Sequence, residues 1–436
     1  MIRNLSFFSK NSFYSKCLIE THLKNSSNNS FFRDINFNQL SYRYYKTNPN
    51  IKQQPKENIQ KSSNTTLETQ ERINGLLKLF PPIKYGFAYG SGVISQKGYN
   101  RNEDGSTTTE DPTKKESPMI DLIFAVENST QWHSLNLVNN LSHYSFLGLM
   151  GAHIVSKVQF MGAKIYFNTL LEHNGIKFKY GVIEYKDLID DLKNWRTLYL
   201  SGRMQKPIVN LPTSTNEGLK EIEEINSKYN LKNAVITSLL MLPETFTEYD
   251  LYHTISKLSY SGDIRMKGAE NPMKTHNIVI NNIDGFRSLY FPIINDYLSE
   301  YLNVILENGD EVDSGLILSK YLINYGGGTK NNKKNNDKDD QRKIIIKFKS
   351  KQDPMNYLNL LMMLPDCIKS PMLKEVRNNM KLKRPDEKID PTILHNLIFV
   401  IVSKSSFTQT LKGALTAGFS KSLNYMKLKL SSSKKK

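Results

Sequence analysis

The apolar positions in the first half of the chain predict a domain that mixes strands and helices, over residues 66–212. Ile73–Phe80 has the apolar spacing of a short helix, which Pro81 and Pro82 would end. Met119–Val126 is an almost continuous apolar run with a single carboxylate. Such a run is typical of a strand that is buried on both faces of a sheet.

A second pair of strands is predicted further along this domain. Lys164–Leu171 and Ile176–Tyr185 are both rich in apolar and aromatic residues, and His173-Asn174-Gly175 between them is a turn signal. The pattern of Asp187–Leu200 then favours a helix. Strands and helices in this order predict an α+β domain built on a mixed sheet.

The polar segment Pro212–Gly218 marks a plausible boundary, after which the helical spacing dominates. Helices are predicted over Leu219–Tyr229 and Asn233–Leu242, and Thr247 has the position of a helix cap for a further helix ending near Leu258. The predicted organisation is a presequence and linker (1–65), the mixed domain (66–212), a mostly helical domain (213–325), a disordered low-complexity insertion (326–343) and a C-terminal region (344–436).

The C-terminal region ends in a basic segment with a helical apolar stripe. Residues 391–436 contain eight lysines and no acid. Phe407, Leu411, Leu415 and Phe419 recur every four residues, with Lys412 among the lysines that flank them. This pattern predicts a basic amphipathic helix on an anionic bilayer. The alternative is a terminal helix packed on the protein's own core, followed by a solvated tail.

Composition and charge narrow the class of protein. The 436 residues carry a formal net charge of +17, which indicates an anionic partner. Two cysteines cannot form a disulfide framework or a four-cysteine zinc site. The longest apolar run, Leu397–Val402, is far shorter than the roughly 20 residues that span a bilayer.

The first 33 residues have the composition of a mitochondrial transit peptide. They contain five basic residues, one acid (Glu20) and many serines, without the long apolar core of a secretion signal. A basic tail without a targeting role is the alternative.

A Gly-Ser-Gly turn and a strand carboxylate supply the candidate chemistry. Gly90 and Gly92 lack side chains and allow backbone N–H groups to approach phosphates, while Ser91 adds a hydroxyl donor. Asp121 lies within the apolar strand, where a carboxylate is costly unless it is paired or holds a cation. Together they predict a nucleotidyltransferase arrangement, in which a divalent metal is held by the acid and by triphosphate oxygens. A structural turn followed by a salt-bridged acid is the alternative.

Several longer motifs resemble one enzyme family. In chain order they are FAYGSGV (87–93), MIDLIFAVEN (119–128), QWHSLNL (131–137), SHYSFL (142–147), KYGVI (179–183), LYLSGRMQKP (198–207), MLPETF (241–246), LSYSGDIRM (258–266) and SSFTQTLKGALTAG (405–418). The chain is therefore similar to the mitochondrial CDP-diacylglycerol synthases, which are peripheral phosphatidate cytidylyltransferases with a nucleotidyltransferase fold.

The resemblance implies a reaction and a location in the cell. CTP and phosphatidic acid would give CDP-diacylglycerol and pyrophosphate, with Mg²⁺, on the matrix side of the inner mitochondrial membrane. The product would feed phosphatidylglycerol and cardiolipin synthesis. CTP, phosphatidic acid and anionic lipids are then the expected partners, and no stable nucleic-acid complex is expected.

Two departures from the superfamily pattern affect the metal site. A second acid is expected two residues after the first, on the same strand face, but position 123 is Ile123. Glu127 or Glu184 would then have to supply the second carboxylate, or the metal would depend on phosphate oxygens and water. The 28 residues between Gly92 and Asp121 also indicate an inserted loop.

Basic residues in other motifs are candidate phosphate ligands. Lys179 on the predicted strand, and Arg203 and Lys206 in GRMQKP, are assigned to nucleotide binding, with a solvated basic turn as the alternative for the last two. Asp263 and Arg265 either form a structural ion pair or reach into the cleft.

His133 and His143 lie in family motifs, but phosphatidate is already ionised and needs no general base. Two other functions remain as alternatives: a non-catalytic inner-membrane assembly factor, suggested by Ile123, and a nucleotidyltransferase acting on RNA, suggested by the positive charge.

Overall fold

The structure is a computed structural model. It describes residues 67–94, 118–213, 216–267, 271–306, 344–351, 353–381 and 391–417. The predicted presequence, the loop Gly98–Ser117 and the low-complexity insertion at 326–343 lie outside these described residues. The predicted domain limits stay predictions.

A five-stranded mixed sheet organises the first part of the chain. Its strands are β1 (Tyr85–Tyr89), β2 (Ile120–Val126), β3 (Ile165–His173), β4 (Ile176–Glu184) and β5 (Val209–Asn210), in the spatial order β3-β4-β2-β1-β5. β2 pairs antiparallel with β1 and parallel with β4. The predicted strand at Met119–Val126 is confirmed, and it lies at the centre of the sheet because both of its faces are apolar.

The side chains of β2 alternate between two hydrophobic clusters, one on each face of the sheet. Leu122 and Phe124 pack in one cluster, whereas Ile123 and Ala125 pack in the other. By the same alternation, Asp121 lies on the Ile123 face, at the end where β2 begins. The position of a residue along the strand thus determines the face of the sheet on which its charged side chain lies.

The predicted hairpin of β3 and β4 is confirmed. Asn174 and Gly175 both have positive φ, of 48° and 75°, which a two-residue hairpin turn of the primed type requires. The helices of this part are α1 (Leu67–Leu77), α2 (Ser129–Asn140), α3 (Phe146–Leu149), α4 (Ala152–Gln159), α5 (Tyr185–Asn194) and α6 (Ser201–Met204). Helix α5 ends earlier than predicted, because Trp195 takes a left-handed conformation with φ of 51°.

The second part of the chain is mostly helical around a separate hydrophobic core, although Ile222 and Ile225 of its first helix pack in a cluster of the first sheet. Its elements are α7 (Glu217–Ile225), α8 (Lys232–Met241), β6 (Thr245–Thr247), α9 (Glu248–Leu258), α10 (Lys274–Ile280), α11 (Ile283–Leu298), β7 (Leu302–Leu306), β8 (Ile344–Phe348), α12 (Pro354–Met362) and α13 (Asp366–Lys381). A π-helical segment, Asn226–Leu231, joins α7 and α8. The three strands form a small sheet in the order β6-β8-β7, which the sequence patterns did not indicate.

The cap at Thr247 is confirmed in detail. The Thr247 side chain accepts from the Asp250 backbone N–H, and the Asp250 carboxylate accepts from the Thr247 backbone N–H, which completes a capping box.

The final helix, α14 (Pro391–Ala417), packs on both parts of the chain. Phe407, Leu411 and Leu415 are exposed, as the predicted stripe requires. Lys412 is 1% exposed, so its assignment to the membrane face is wrong: its ammonium group donates to the backbone carbonyls of Gln159 and Met161, in the first part of the chain. Phe419 lies outside the described residues. Among the residues that the structure describes, no helix is long and apolar enough to cross a bilayer.

Candidate functional site

A cavity of about 380 Å³ lies where the first sheet, the second part of the chain and α14 meet. Eight of the predicted site residues line it, although they are spread from position 90 to position 265 of the sequence. They are Gly90, Ser91, Asp121, Lys179, Arg203, Lys206, Asp263 and Arg265. Gly92, the remaining predicted nucleotide-binding residue, does not line the cavity.

The Gly-Ser-Gly turn packs directly against the start of β2. Gly90 has φ of 82°, and a Cβ there would lie 3.3 Å from Oδ2 of Asp121. A Cβ at Gly92 would lie 2.0 Å from the backbone oxygen of Met119. Both glycines are therefore needed for close approach: Gly90 by its conformation and its carboxylate neighbour, and Gly92 by contact with the adjacent backbone.

Asp121 and Lys179 form an ion pair at the edge of the cavity. They are neighbours on the parallel strands β2 and β4, and their charged atoms lie 3.1 Å apart. Their side chains are 19% and 26% exposed. Asp121 is thus at the solvent-reachable end of the strand, in contact with the cavity, and not enclosed in the apolar interior.

The two alternative carboxylates lie at the opposite end of β2. Glu184 pairs in register with Val126, five residues from Asp121, which corresponds to roughly 16 Å along the strand. Glu184 accepts from the backbone and hydroxyl of Ser129, and Glu127 pairs with Lys84. Neither therefore lies beside Asp121. Ile123 is fully buried in a hydrophobic cluster, so position 123 contributes no ligand.

Lys206 is buried in the cavity wall, so its interpretation as a solvated basic turn is wrong. Its side-chain nitrogen donates to the Gly202 carbonyl and to Oγ of Ser259, the latter at 2.9 Å. Burial, assisted by the positive charges of Arg203 and Lys274, lowers the pKa of Lys206 to about 7. A phosphate at this position would restore its positive charge.

Arg203 is held between two aromatic rings. Its guanidinium carbon lies 4.1 Å from the ring centre of Tyr199 and 5.4 Å from that of Tyr89, and it donates to the Tyr199 carbonyl. These contacts fix the planar group at the cavity wall, where its remaining N–H groups can meet an anion.

Asp263 and Arg265 form an ion pair and also line the cavity, so both interpretations of this pair apply. Nε of Arg265 lies 3.0 Å and 3.1 Å from the two carboxylate oxygens of Asp263. Ser406 of α14 donates to the same carboxylate at 2.7 Å. Burial raises the pKa of Asp263, but hydrogen bonds from Arg265 and Ser406 outweigh it and hold the pKa at about 2.

Two groups of cavity residues were not predicted as site residues from the sequence. The first is Lys274 with Tyr260, whose ring centre lies 5.3 Å from both the Lys206 and the Lys274 ammonium nitrogens. No motif surrounds Lys274, so no sequence signal identified it. The second group, Ser405 and Ser406, belongs to the family motif SSFTQ, which was assigned to a membrane helix or to a helix packed on the core and not to the cavity.

The two motif histidines lie outside the cavity. His133 is fully buried, with Nδ1 2.8 Å from the Tyr144 hydroxyl and Nε2 2.8 Å from Gln159. Burial lowers the pKa of His133 to about 4, so it is neutral at physiological pH. His143 lies 3.2 Å from the Tyr180 hydroxyl. These contacts give both histidines structural roles in the described part of the chain.

The described residues offer a limited donor set for a metal. They contain no group of three or more His, Cys, Asp or Glu side chains that could hold an ion. The only carboxylates that line the cavity in the described residues are Asp121 and Asp263, and the second is saturated by Arg265 and Ser406. Mg²⁺ typically binds through one or two carboxylates, with waters and substrate phosphates completing its shell. The set is compatible with that mode of binding.

Comparison with known proteins gives consistent matches. A family model described as "Phosphatidate cytidylyltransferase, mitochondrial" matches residues 73–432. A Dictyostelium discoideum protein of that name is 78% identical over 438 residues, covering the whole of both chains. A Schizosaccharomyces pombe protein of the same name is 37% identical over 83% of this chain and 84% of its own. The mouse protein of that name is 42% identical over 51% of this chain and 62% of its own.

Proposed function

The chain belongs to the family of mitochondrial phosphatidate cytidylyltransferases, and we propose that its cavity transfers a cytidylyl group from CTP to phosphatidate. The products are CDP-diacylglycerol and pyrophosphate. A phosphate oxygen of phosphatidate forms a bond to the α-phosphorus of CTP, and the bond from that phosphorus to the β-phosphate bridging oxygen breaks. The electron pair of the broken bond leaves with pyrophosphate.

The charge of the cavity wall is the observation that carries this proposal. Five cationic residues line the cavity, against two carboxylates, each of which pairs with one of the five: Asp121 with Lys179 and Asp263 with Arg265. The five are Lys179, Arg203, Lys206, Arg265 and Lys274. A triphosphate and a phosphate monoester together bring several negative charges, and their transfer chemistry depends mainly on positioning and charge neutralisation.

The proposed roles follow from the position of each residue in the wall. Gly90 and Ser91 approach the triphosphate through backbone and hydroxyl donors, and Gly92 keeps the turn close to β2. Lys179, Arg203 and Lys206 bind phosphate oxygens. The turn between β1 and β2, followed by a carboxylate at the start of β2, supports a nucleotidyltransferase fold for this sheet.

Asp121 is proposed to hold Mg²⁺. When bound, the ion would supply positive charge to the phosphates. Asp121 contributes its carboxylate at the cavity edge, beside Lys179, and Gly90 leaves the space next to that carboxylate free of a side chain. Arg265, held by Asp263, also lines the cavity and is proposed to contact a substrate phosphate.

We also propose where in the cell the protein acts. The names of the relatives favour the mitochondrion, and the acid-poor first 33 residues support import through a presequence. Cardiolipin precursors are made from this product, so the proposed place is the matrix side of the inner membrane, with the protein bound peripherally to anionic lipid.

A lipid-labelling assay tests the function. The full chain is incubated with Mg²⁺, CTP labelled in the cytidine ring, and vesicles that contain phosphatidate. We expect label in the lipid fraction, dependent on phosphatidate and on Mg²⁺, with release of pyrophosphate. Binding to vesicles without any labelled lipid would instead support the assembly-factor function, and label transferred to added RNA would support an RNA nucleotidyltransferase.

A further inference from the structure

The second half of α14 has its polar residues inside and its apolar residues outside. Among the described side chains between residues 405 and 416, the buried ones are all polar, namely Ser405, Ser406, Gln409, Lys412 and Thr416. On the outer side, Phe407, Leu411 and Leu415 are 61%, 58% and 43% exposed. Helices on a water-soluble surface have the opposite arrangement, so the outer side of this segment is suited to an apolar environment.

Hydrogen bonds fix this orientation. Ser405 donates to the Thr197 carbonyl at 2.9 Å, and Gln409 donates to the Ile165 carbonyl at 3.3 Å. Lys412 donates to the carbonyls of Gln159 and Met161, at 3.1 Å and 2.7 Å. Turning the apolar stripe inward would break all four bonds and leave buried carbonyls without donors.

The first domain places more exposed apolar side chains beside this stripe. Helix α3 and the end of α4 contribute five of them: Phe146, Leu149, Met150, Phe160 and Met161, each between 42% and 57% exposed. Ser145, the cap of α3, donates to the Leu415 carbonyl, and a Cβ at Gly162 would touch Thr408 at 2.7 Å. These contacts bring the α3–α4 edge next to α14, so the two sets form one apolar rim.

The charged residues around the apolar rim indicate which kind of partner binds to it. Residues 145–164 and 391–417, which carry the rim, contain no Asp or Glu, whereas Lys157 and Lys404 are exposed within them. An apolar surface surrounded by cations matches the interface of an anionic bilayer. A protein partner of ordinary surface composition would not require the absence of acids.

We propose that the α3–α4 edge and α14 together form the bilayer-binding surface, with Leu149 and Met150 of the first domain inserting beside the helix stripe. Residues on the opposite side of α14, Ser405 and Ser406, line the cavity. The cavity is therefore about one helix diameter, roughly 10 Å, from the bound bilayer. This last step rests on the proposed function, since it explains how a lipid headgroup would reach the cytidylyl donor.

Tryptophan fluorescence tests the insertion directly. Both native tryptophans, Trp132 and Trp195, are buried, so Met150→Trp adds the one probe at the rim. The vesicles contain four parts brominated phosphatidylcholine to one part phosphatidylglycerol, without CTP or phosphatidate. We expect quenching of the Met150→Trp signal on vesicle binding, while Met355→Trp, at a position 61% exposed on α12, is not quenched. Equal quenching of the two variants, or none in bound protein, would overturn the proposal.

Vesicle flotation measures the contribution of the edge to binding. The double variant Leu149→Ser/Met150→Ser should bind the same vesicles about tenfold more weakly, because two large apolar side chains no longer leave water. The matched control Met355→Ser/Met362→Ser should bind like the unchanged chain. Unchanged binding by the first variant, together with a loss of self-association in sedimentation, would identify the rim as a dimer contact and refute the bilayer assignment. Neither assay depends on catalysis, so both outcomes are separate from the test of the proposed function.

Discussion

Replacing Asp121 by Asn removes one negative charge at the edge of the cavity with almost no change in volume. The Asp121 carboxylate lies 3.1 Å from the Lys179 ammonium group, and its side chain is 19% exposed. Partly exposed pairs of this kind contribute up to about 1 kcal/mol to stability. We therefore expect the variant to keep its fold and to unfold within a few degrees of the unchanged protein.

The effect on turnover should be much larger than the effect on stability. A carboxylate about 4 Å from a divalent cation is attracted to it by about 4 kcal/mol per unit of positive charge at an effective dielectric constant near 20. Loss of that interaction in the transition state corresponds to a decrease of about a thousandfold in kcat/KM. The measurement is the initial rate of CDP-diacylglycerol formation at saturating Mg²⁺, with thermal unfolding recorded on the same sample.

The same strand supplies a matched control. Glu127 directly follows the far end of β2 and also pairs with a lysine, Lys84, but it lies away from the cavity. Glu127→Gln should retain close to full activity. If Asp121→Asn retains full activity, or if Glu127→Gln loses as much as Asp121→Asn, then the metal-binding role of Asp121 is wrong.

Three further predictions concern the cavity wall and the Gly-Ser-Gly turn beside it. Gly92→Ala should lower the free energy of unfolding by about 1–3 kcal/mol, because its Cβ would collide with the Met119 backbone. The control Gly75→Ala, in open space within a helix, should be neutral or stabilising. Chemical denaturation measures the free energy of unfolding of both variants. The KM for CTP should rise as the pH increases through about 7, because the buried Lys206 then loses its proton and its positive charge. Lys206→Arg should remove this pH dependence. A KM for CTP that does not change from pH 6 to 9 in the unchanged enzyme would contradict the role of Lys206 in CTP binding. Ser406→Ala removes a buried hydrogen bond to the Asp263 carboxylate and should cost about 1–3 kcal/mol in thermal unfolding, with a smaller loss for Ser406→Thr.

Local patterns in the sequence were sufficient for three strands of the first sheet, β2, β3 and β4, and for one helix cap, but they did not predict β1 or β5. The apolar run of β2, the turn before β4 and the cap at Thr247 each depend on neighbouring residues, so each was predicted close to its observed position. The small sheet of β6, β7 and β8 was not predicted. Its strands are short and far apart in the chain, so their pairing could not be predicted, although Ile344–Phe348 (β8) has the β-branched and aromatic composition of a strand.

The sequence by itself determined the chemistry of the candidate site: a Gly-Ser-Gly turn, one strand carboxylate and basic residues in recognisable motifs. Tertiary structure decided which charges meet, because distance along the chain does not predict distance in space. It separated Glu127 and Glu184 from Asp121 and added Lys274 to the cavity. It also buried Lys412 in a helix whose periodicity identified an apolar stripe but could not show that the opposite, polar face would be the one packed against the protein.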